Sequence, residues 1–235
     1  MKYLFVLLLS AFSLHSFAQT VINDKNAVIR NVSSFSDINV SGGIEIYLSQ
    51  GNDYALAVSA SEDKYRDEIK TEVRNGVLNI SFNGSHLNFS GDRKLRAYIS
   101  FKTLESIQAS GASDAIINGT FKVNSAKIKL SGACEIKGAI DIENLQLDLS
   151  GASTVRMNGT VENLKIDASG ASDVKNYDLI ADNCVAKLSG ASDVRITLNK
   201  SVSAKVSGAS SLFYKGQPGR KDIHTSGASS VSQRD

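Results

Sequence analysis

The sequence predicts an all-β protein built as a parallel β-solenoid, and three observations carry that prediction. The tetrapeptide Ser-Gly-Ala-Ser recurs at 110–113, 150–153, 169–172, 189–192, 207–210 and 226–229, with Ser-Gly-Ala-Cys at 131–134. Its glycines, at 111, 132, 151, 170, 190, 208 and 227, are 21, 19, 19, 20, 18 and 19 residues apart. A near-constant period of this size marks a solenoid, in which each repeat completes its core only by stacking on its neighbours. Between tetrapeptides the apolar residues alternate with polar ones, as strands with one buried face require: Leu145, Leu147 and Leu149 precede Gly151, and Val155 and Met157 follow it. Composition agrees, with one proline, no tryptophan and many Val, Ile, Ser and Asn residues.

The elements follow in chain order. Met1 to Ala18 carries Lys2, the apolar run 4–9 and a Ser-Phe-Ala end, the pattern of a signal peptide cleaved after Ala18. The apolar run is too short to span a bilayer, and no later segment is apolar enough to do so. Residues 19–34 read as a lead-in strand or cap. From Phe35 a degenerate first copy of the repeat begins, with Ile38, Val40, Ser41-Gly42-Gly43, Ile44, Ile46 and Leu48 spaced like Leu104, Ile107, Ala109 and Ser110-Gly111. Tyr54, Leu56 and Val58 predict a strand. Ser61, followed by Glu62 and Asp63, predicts the N-cap of a short charged helix reaching about Ile69. Asn75-Gly76 predicts a type I′ hairpin turn between Val73 and the return strand Leu78, Ile80 and Phe82. Residues 83–94 read as a loop, and Leu95–Phe101 as a strand entering the array.

In the array, each period predicts two or three short strands paired in parallel with the next rung. Alternation puts Gly151 and Ser153 on the inward parity and Ser150, Ala152 and Thr154 on the outward one. Glycine permits bulges that can shift this parity. The organisation expected is a signal peptide at 1–18, a variant N-terminal β region at 19–105, and the regular solenoid at 106–235, the last two continuous. Cys134 and Cys184 fall on rungs about 14 Å apart along the axis at a strand spacing of about 4.8 Å, too far for a disulfide, so two free buried thiols are expected.

Taken together, the leader, the Phe-x-x-Ile-x-Val-Ser-Gly-Gly-Ile-x-Ile-x-Leu opening and the tandem Ser-Gly-Ala-Ser units resemble the auto-transporter adhesin, head GIN domain proteins of Bacteroidetes. The resemblance spans about 31–230. It implies a right-handed parallel β-helix-like fold and an exported protein of the periplasm, outer membrane or cell surface. It supplies no catalytic or ligand residues.

Function is less legible, because the repeated residues are not reactive. Lys and Arg total 26 against 24 Asp and Glu, and loss of the leader removes Lys2 alone. That balance excludes a nucleic-acid or polybasic membrane-surface role. Small residues stacked rung on rung suit a geometric corner, with glycine supplying the bend and serine hydroxyls satisfying polar groups. They also suit a flat binding face, for which Ala152, Ala171, Ala191 and Ala209 are the candidates. After each tetrapeptide stand Asp114, Glu135, Thr154, Asp173, Asp193, Ser211 and Ser230. Asp173 and Asp193 are weak candidates for holding a hard cation, with Lys175 and Arg195 two residues on to offset their charge. A polysaccharide-cleaving β-helix enzyme would need positioned carboxylates breaking the pattern at one place. These acids instead repeat, so no enzyme activity and no cofactor are expected. Phe89, in the 83–94 loop, is a candidate contact residue. His86 and His224 have no zinc-like spacing. The expected role is non-catalytic adhesion to a glycan or protein surface, with a structural envelope role as the alternative. The thin cap beyond Gly227 suggests a homodimer through that solenoid end.

Overall fold

A computed structural model describes residues 24–82, 84 and 93–235. The leader, residues 19–23 and Phe89 lie outside these residues. The strands are β1 (Val28–Arg30), β2 (Asp37–Ser41), β3 (Glu45–Gln50) and β4 (Ala55–Ser59), then, after helix α1 (Asp63–Asp67), β5 (Ile69–Arg74), β6 (Val77–Phe82), β7 (Arg96–Phe101) and β8 (Ser106–Gly111). The array continues as β9 (Asp114–Gly132), β10 (Glu135–Leu149), β11 (Thr154–Ala168), β12 (Asp173–Leu188) and β13 (Asp193–Val206), then β14 (Ser211–Lys215), β15 (Arg220–Thr225) and β16 (Ser230–Gln233).

All sixteen strands belong to one hydrogen-bonded sheet wound on itself into a β-solenoid. The stretches β9 to β13 are long because each bends around the core while staying paired. In β11, Val155 and Met157 point in, Asn158 to Thr160 turn the chain, and Val161 points in again. Glu162 and Asn163 make a second bend before Leu164, Ile166 and Ala168 resume the inward set. Two successive exposed residues break the period of two, and this is how one strand changes direction without losing its pairing. Parallel register carries each inward residue onto its equivalent, so Leu145, Leu164, Cys184 and Val202 form one column and Leu147, Ile166, Ala186 and Ala204 the next. These columns are the core, nearly all of it fully buried. Cys134 and Cys184 are free and buried.

The degenerate first copy stacks as its sequence implies. Ile38 and Val40 of β2 lie under Ile107 and Ala109, and Ile46 and Leu48 of β3 lie under Ala115 and Ile117. The segment 51–105 adds one more layer on the far side, with β6 parallel to β2 and β7 parallel to β3. Antiparallel strands then close this end: β5 on β6, β4 on β7 and β1 on β4. The β5–β6 turn has φ of 51° at Asn75 and 79° at Gly76, the left-handed pair that the Asn-Gly sequence favours. The helix differs from expectation at its start. Its N-cap is Glu62, not Ser61, and no side chain caps it. None of its residues is fully buried; the single turn packs the half-buried Tyr65 against the core and pairs Arg66 with Asp63.

At the other end β15 follows β13 and β16 follows β14. Here the inward column Val202, Ala204, Val206 is continued by Lys221, Ile223 and Thr225. The Lys221 ammonium lies 3.3 Å from the Gln233 amide oxygen and 5.6 Å from the centre of the Tyr214 ring. A charge facing the core of a terminal strand opposes edge-to-edge association. This end is therefore a polar rim at Lys221, with the exposed Ile223 beside it in the same column.

Candidate binding surface

The corner made by each tetrapeptide is a backbone stack. Its glycines lie at φ of 73–90° in the array, a region costly for residues with a Cβ. A Cβ on Gly170 would lie 2.5 Å from the Gly151 carbonyl oxygen, so the stack leaves no room for one. That close approach permits a hydrogen-bond ladder in which each alanine N–H donates to the glycine carbonyl of the rung before, as Ala171 does to Gly151 at 2.7 Å. The fourth position is buried in every complete rung: Ser113, Ser153, Ser172, Ser192 and Ser210 are all 0% exposed. These hydroxyls donate across the corner to the first serine's carbonyl, 2.9 Å for Ser153 to Ser150 and for Ser172 to Ser169. Some also accept from the adjoining rung, as Ser210 does from the Ser192 N–H. Cys134 fills one such place, its Sγ 3.3 Å from the Ser131 carbonyl. Burial raises its thiol pKa above the ordinary value despite those backbone contacts.

The corner thus satisfies its own polar groups. What it shows to solvent is glycine and alanine: Ala152, Ala171, Ala191 and Ala209 are exposed in one line. The structure brings these candidates together as a low ridge.

Beside the ridge, on the limb that follows it, runs the acid column Glu45, Asp114, Glu135, Thr154, Asp173, Asp193, Ser211, Ser230. The next outward column contains Arg156, Lys175 and Arg195, and the charges are paired: Arg156 with Glu135 at 2.7 Å, Lys175 with Asp173 at 2.8 Å, Arg195 with Asp193 at 3.5 Å. Asp173 and Asp193 therefore face bases on their own rungs. Among the described residues no group of three or more acids, histidines or cysteines is placed to hold a metal. Asp114 has its pKa raised, first by burial and then by the neighbouring carboxylates of Glu135 and Glu45. Phe213 ends the basic column between the guanidinium groups of Arg195 and Arg234, 5.5 and 4.6 Å from its ring centre. At the opposite end Tyr47 and Tyr98 stack at 5.1 Å, their hydroxyls donating to Glu45 and Asp24. Burial, then the Asp24 carboxylate, pushes Tyr98 up to about 12.

Sequence reasoning missed a feature on the other limb. Asn144, Asn163 and Asn183 stack in register, and each amide donates to the one before, at 3.1 Å in both steps. Ser201 extends the ladder, donating to Asn183 at 2.8 Å. The signal was present, since each of these residues stands seven before a tetrapeptide glycine. The ladder borders a groove of about 770 Å³ running across the rungs, its floor including Ala126, Leu145 and Leu164 and its far wall Lys127, Gln146, Lys165 and Val185.

The described residues thus form a β-solenoid with self-satisfied corners and long outer faces. The chain belongs to the family described as "Putative auto-transporter adhesin, head GIN domain", whose profile matches residues 34–218. In fold it is similar to a crystal structure described as a putative adhesin from Bacteroides fragilis, with 23% identity, TM-score 0.79, and coverage of 90% of this chain and 98% of that one. A putative adhesin from Parabacteroides merdae is similar at 17% identity and TM-score 0.64, covering 89% and 95%. A protein from Parabacteroides distasonis described as a putative lipid binding protein is similar at 20% and 0.61, covering 89% and 98%. No curated protein matches the chain. Among the described residues no helix is long and apolar enough to cross a membrane.

Proposed function

We propose that the protein is an exported, non-catalytic adhesin of the cell envelope that binds a glycan or protein surface through its lateral faces. The observation that carries this reading is the regular array itself. Successive rungs repeat the same backbone corner and exposed alanine at about 4.8 Å, so a ligand with its own repeat meets the same contact several times along the ridge. The family and the leader-like N-terminus support export, and the pairing of the repeated acids with bases supports binding over catalysis.

The test is binding of the purified protein to an array of glycans and matrix proteins, beside a variant with Ala171→Lys and Ala191→Lys. Both alanines are exposed and their side chains point away from the core, so the variant should keep native circular dichroism. Saturable binding by the parent protein is expected. Loss in the variant locates the contact on the alanine ridge, and retention locates it on another face. No binding to any member of the array would count against adhesion and for a structural envelope role.

A further inference from the structure

The limb that precedes each tetrapeptide differs from the limb that follows it in how its charges are used. Its outward columns are Ser106, Lys127, Gln146, Lys165, Val185, Ser203, Asp222 and Gln108, Lys129, Asp148, Asp167, Lys187, Lys205, His224. Lys127 is paired with Asp148 at 2.9 Å. Burial works to raise the pKa of Asp148, but hydrogen bonds from Gln146 and Lys127 outweigh it and the carboxyl is lowered overall. Among the described residues, Lys129, Lys165, Lys187 and Lys205 make no ion pair, although Asp148 and Asp167 stand between Lys129 and Lys187 in their column and Lys165 acts on Asp148 through space; on the opposite limb Arg156, Lys175 and Arg195 are locked to acids and Lys137 is not. All four lysines are exposed.

These lysines lie on or beside the wall of the asparagine groove. Glu105 is the one carboxylate lining that groove, at its end; Glu143 and Glu162 line a separate groove beyond the ladder. Asn163 spends one N–H and one oxygen lone pair on its neighbours, which leaves it a donor and an acceptor for a ligand; Asn183 also donates to the Glu162 carbonyl and keeps an acceptor. The main-chain groups of these central strands are already used by the flanking rungs, so a peptide cannot dock here by adding a strand.

We propose that this groove binds an extended, linear uronic-acid polysaccharide lying along the solenoid axis. Its carboxylates would meet Lys165, Lys187 and Lys129, its hydroxyls the amides of Asn144, Asn163 and Asn183, and its apolar ring faces the exposed Val185 and the half-buried Val123. Charge selects an acidic chain over a neutral one, and the row of equivalent amides selects an extended chain over a branched one. The proposal rests on the adhesin reading and names the ligand class for a second lateral face, distinct from the alanine ridge.

The test measures binding of the purified protein to β-1,4-linked mannuronan oligomers and hyaluronan oligomers, and to the carboxyl-reduced form of each, at low and high salt. Expected is saturable binding to an acidic chain that weakens with salt and falls at least ten-fold on carboxyl reduction. Lys165→Glu with Lys187→Glu should weaken it at least ten-fold, as should Asn163→Asp, which keeps the shape of the amide and adds a like charge. Lys137→Glu, on the other limb, should leave it unchanged. Melting temperature and circular dichroism check that each variant is folded. Failure to bind either acidic chain overturns the proposal, as does binding indifferent to carboxyl reduction or to the lysine changes. Equal binding of neutral and acidic chains would overturn it while leaving the adhesin reading standing, so the two fail separately.

Discussion

Replacing Gly170 by alanine tests whether the corner needs glycine for its backbone angle or for its stacking distance. Gly170 has φ of 74°, and an added Cβ would lie 2.5 Å from the Gly151 carbonyl oxygen and 3.0 Å from its nitrogen. Gly119 has nearly the same φ, 77°, but nothing within 4 Å of an added Cβ. Gly119→Ala should therefore cost only the left-handed conformation, about 1–2 kcal/mol. Gly170→Ala carries that cost and also forces apart two backbones held by the 2.7 Å bond from the Ala171 N–H to the Gly151 carbonyl. Overpacking of a tight site adds about 1–3 kcal/mol, for a total of about 2–5 kcal/mol. Urea unfolding of both variants beside the parent, followed by circular dichroism, gives the difference. A chain of stacked units can lose cooperativity, so the slope of each transition is compared as well as its midpoint. Equal losses for the two variants would refute the stacking argument and leave φ as the sole reason for glycine.

Other consequences are open to simpler checks. Burial pushes the Cys184 thiol up to about 12 from its ordinary 9.0. Its folded form holds the proton more tightly than the unfolded chain, so its contribution is intact below about pH 9 and is lost as pH rises toward 12; Cys184→Val should flatten that part of a melting-temperature profile. Asn163→Ala removes two ladder bonds at an exposed bend and should cost about 1–2 kcal/mol by urea unfolding. Lys221→Ile removes the charge from this rim beside the exposed Ile223; light scattering should show stronger concentration-dependent association for the variant than for the parent protein, and equal behaviour would refute the role of the charge.

The glycine period and the alternation on either side of it made the solenoid legible, because a stacked fold repeats its local constraints in the sequence at every rung. The hairpin was legible for a similar reason, since Asn75-Gly76 states its own backbone angles. The helix start was not. Ser61 has the right chemistry for a cap, but its N–H donates to the Arg93 carbonyl, a contact far along the chain. Alternation placed Ala152 outward and Ser153 inward as found, but it also placed Gly151 inward, and the left-handed corner exposes that glycine beside the alanine. The asparagine ladder escaped because Asn163 at a bend reads as ordinary turn chemistry. Its amide-to-amide bonds exist only once parallel register superposes it on Asn144 and Asn183. The polar rim was hidden similarly, since Lys221 reads as a surface residue until β15 is seen to continue an inward column.

The register Glu135, Thr154, Asp173 has one more consequence. Because 154 and 173 occupy equivalent places on successive rungs, excision of 154–172 would rejoin Ser153 to an Asp173 in the same surroundings. The molecule is in this sense a ruler with nineteen-residue graduations. Its length can grow or shrink by whole rungs while the strands at both ends stay as they are, and with the graduation 154–172 it gains or loses one alanine, one ladder amide and one set of outward charges. Reach and the number of surface contacts are then set together by a count of rungs, with no redesign of any one of them.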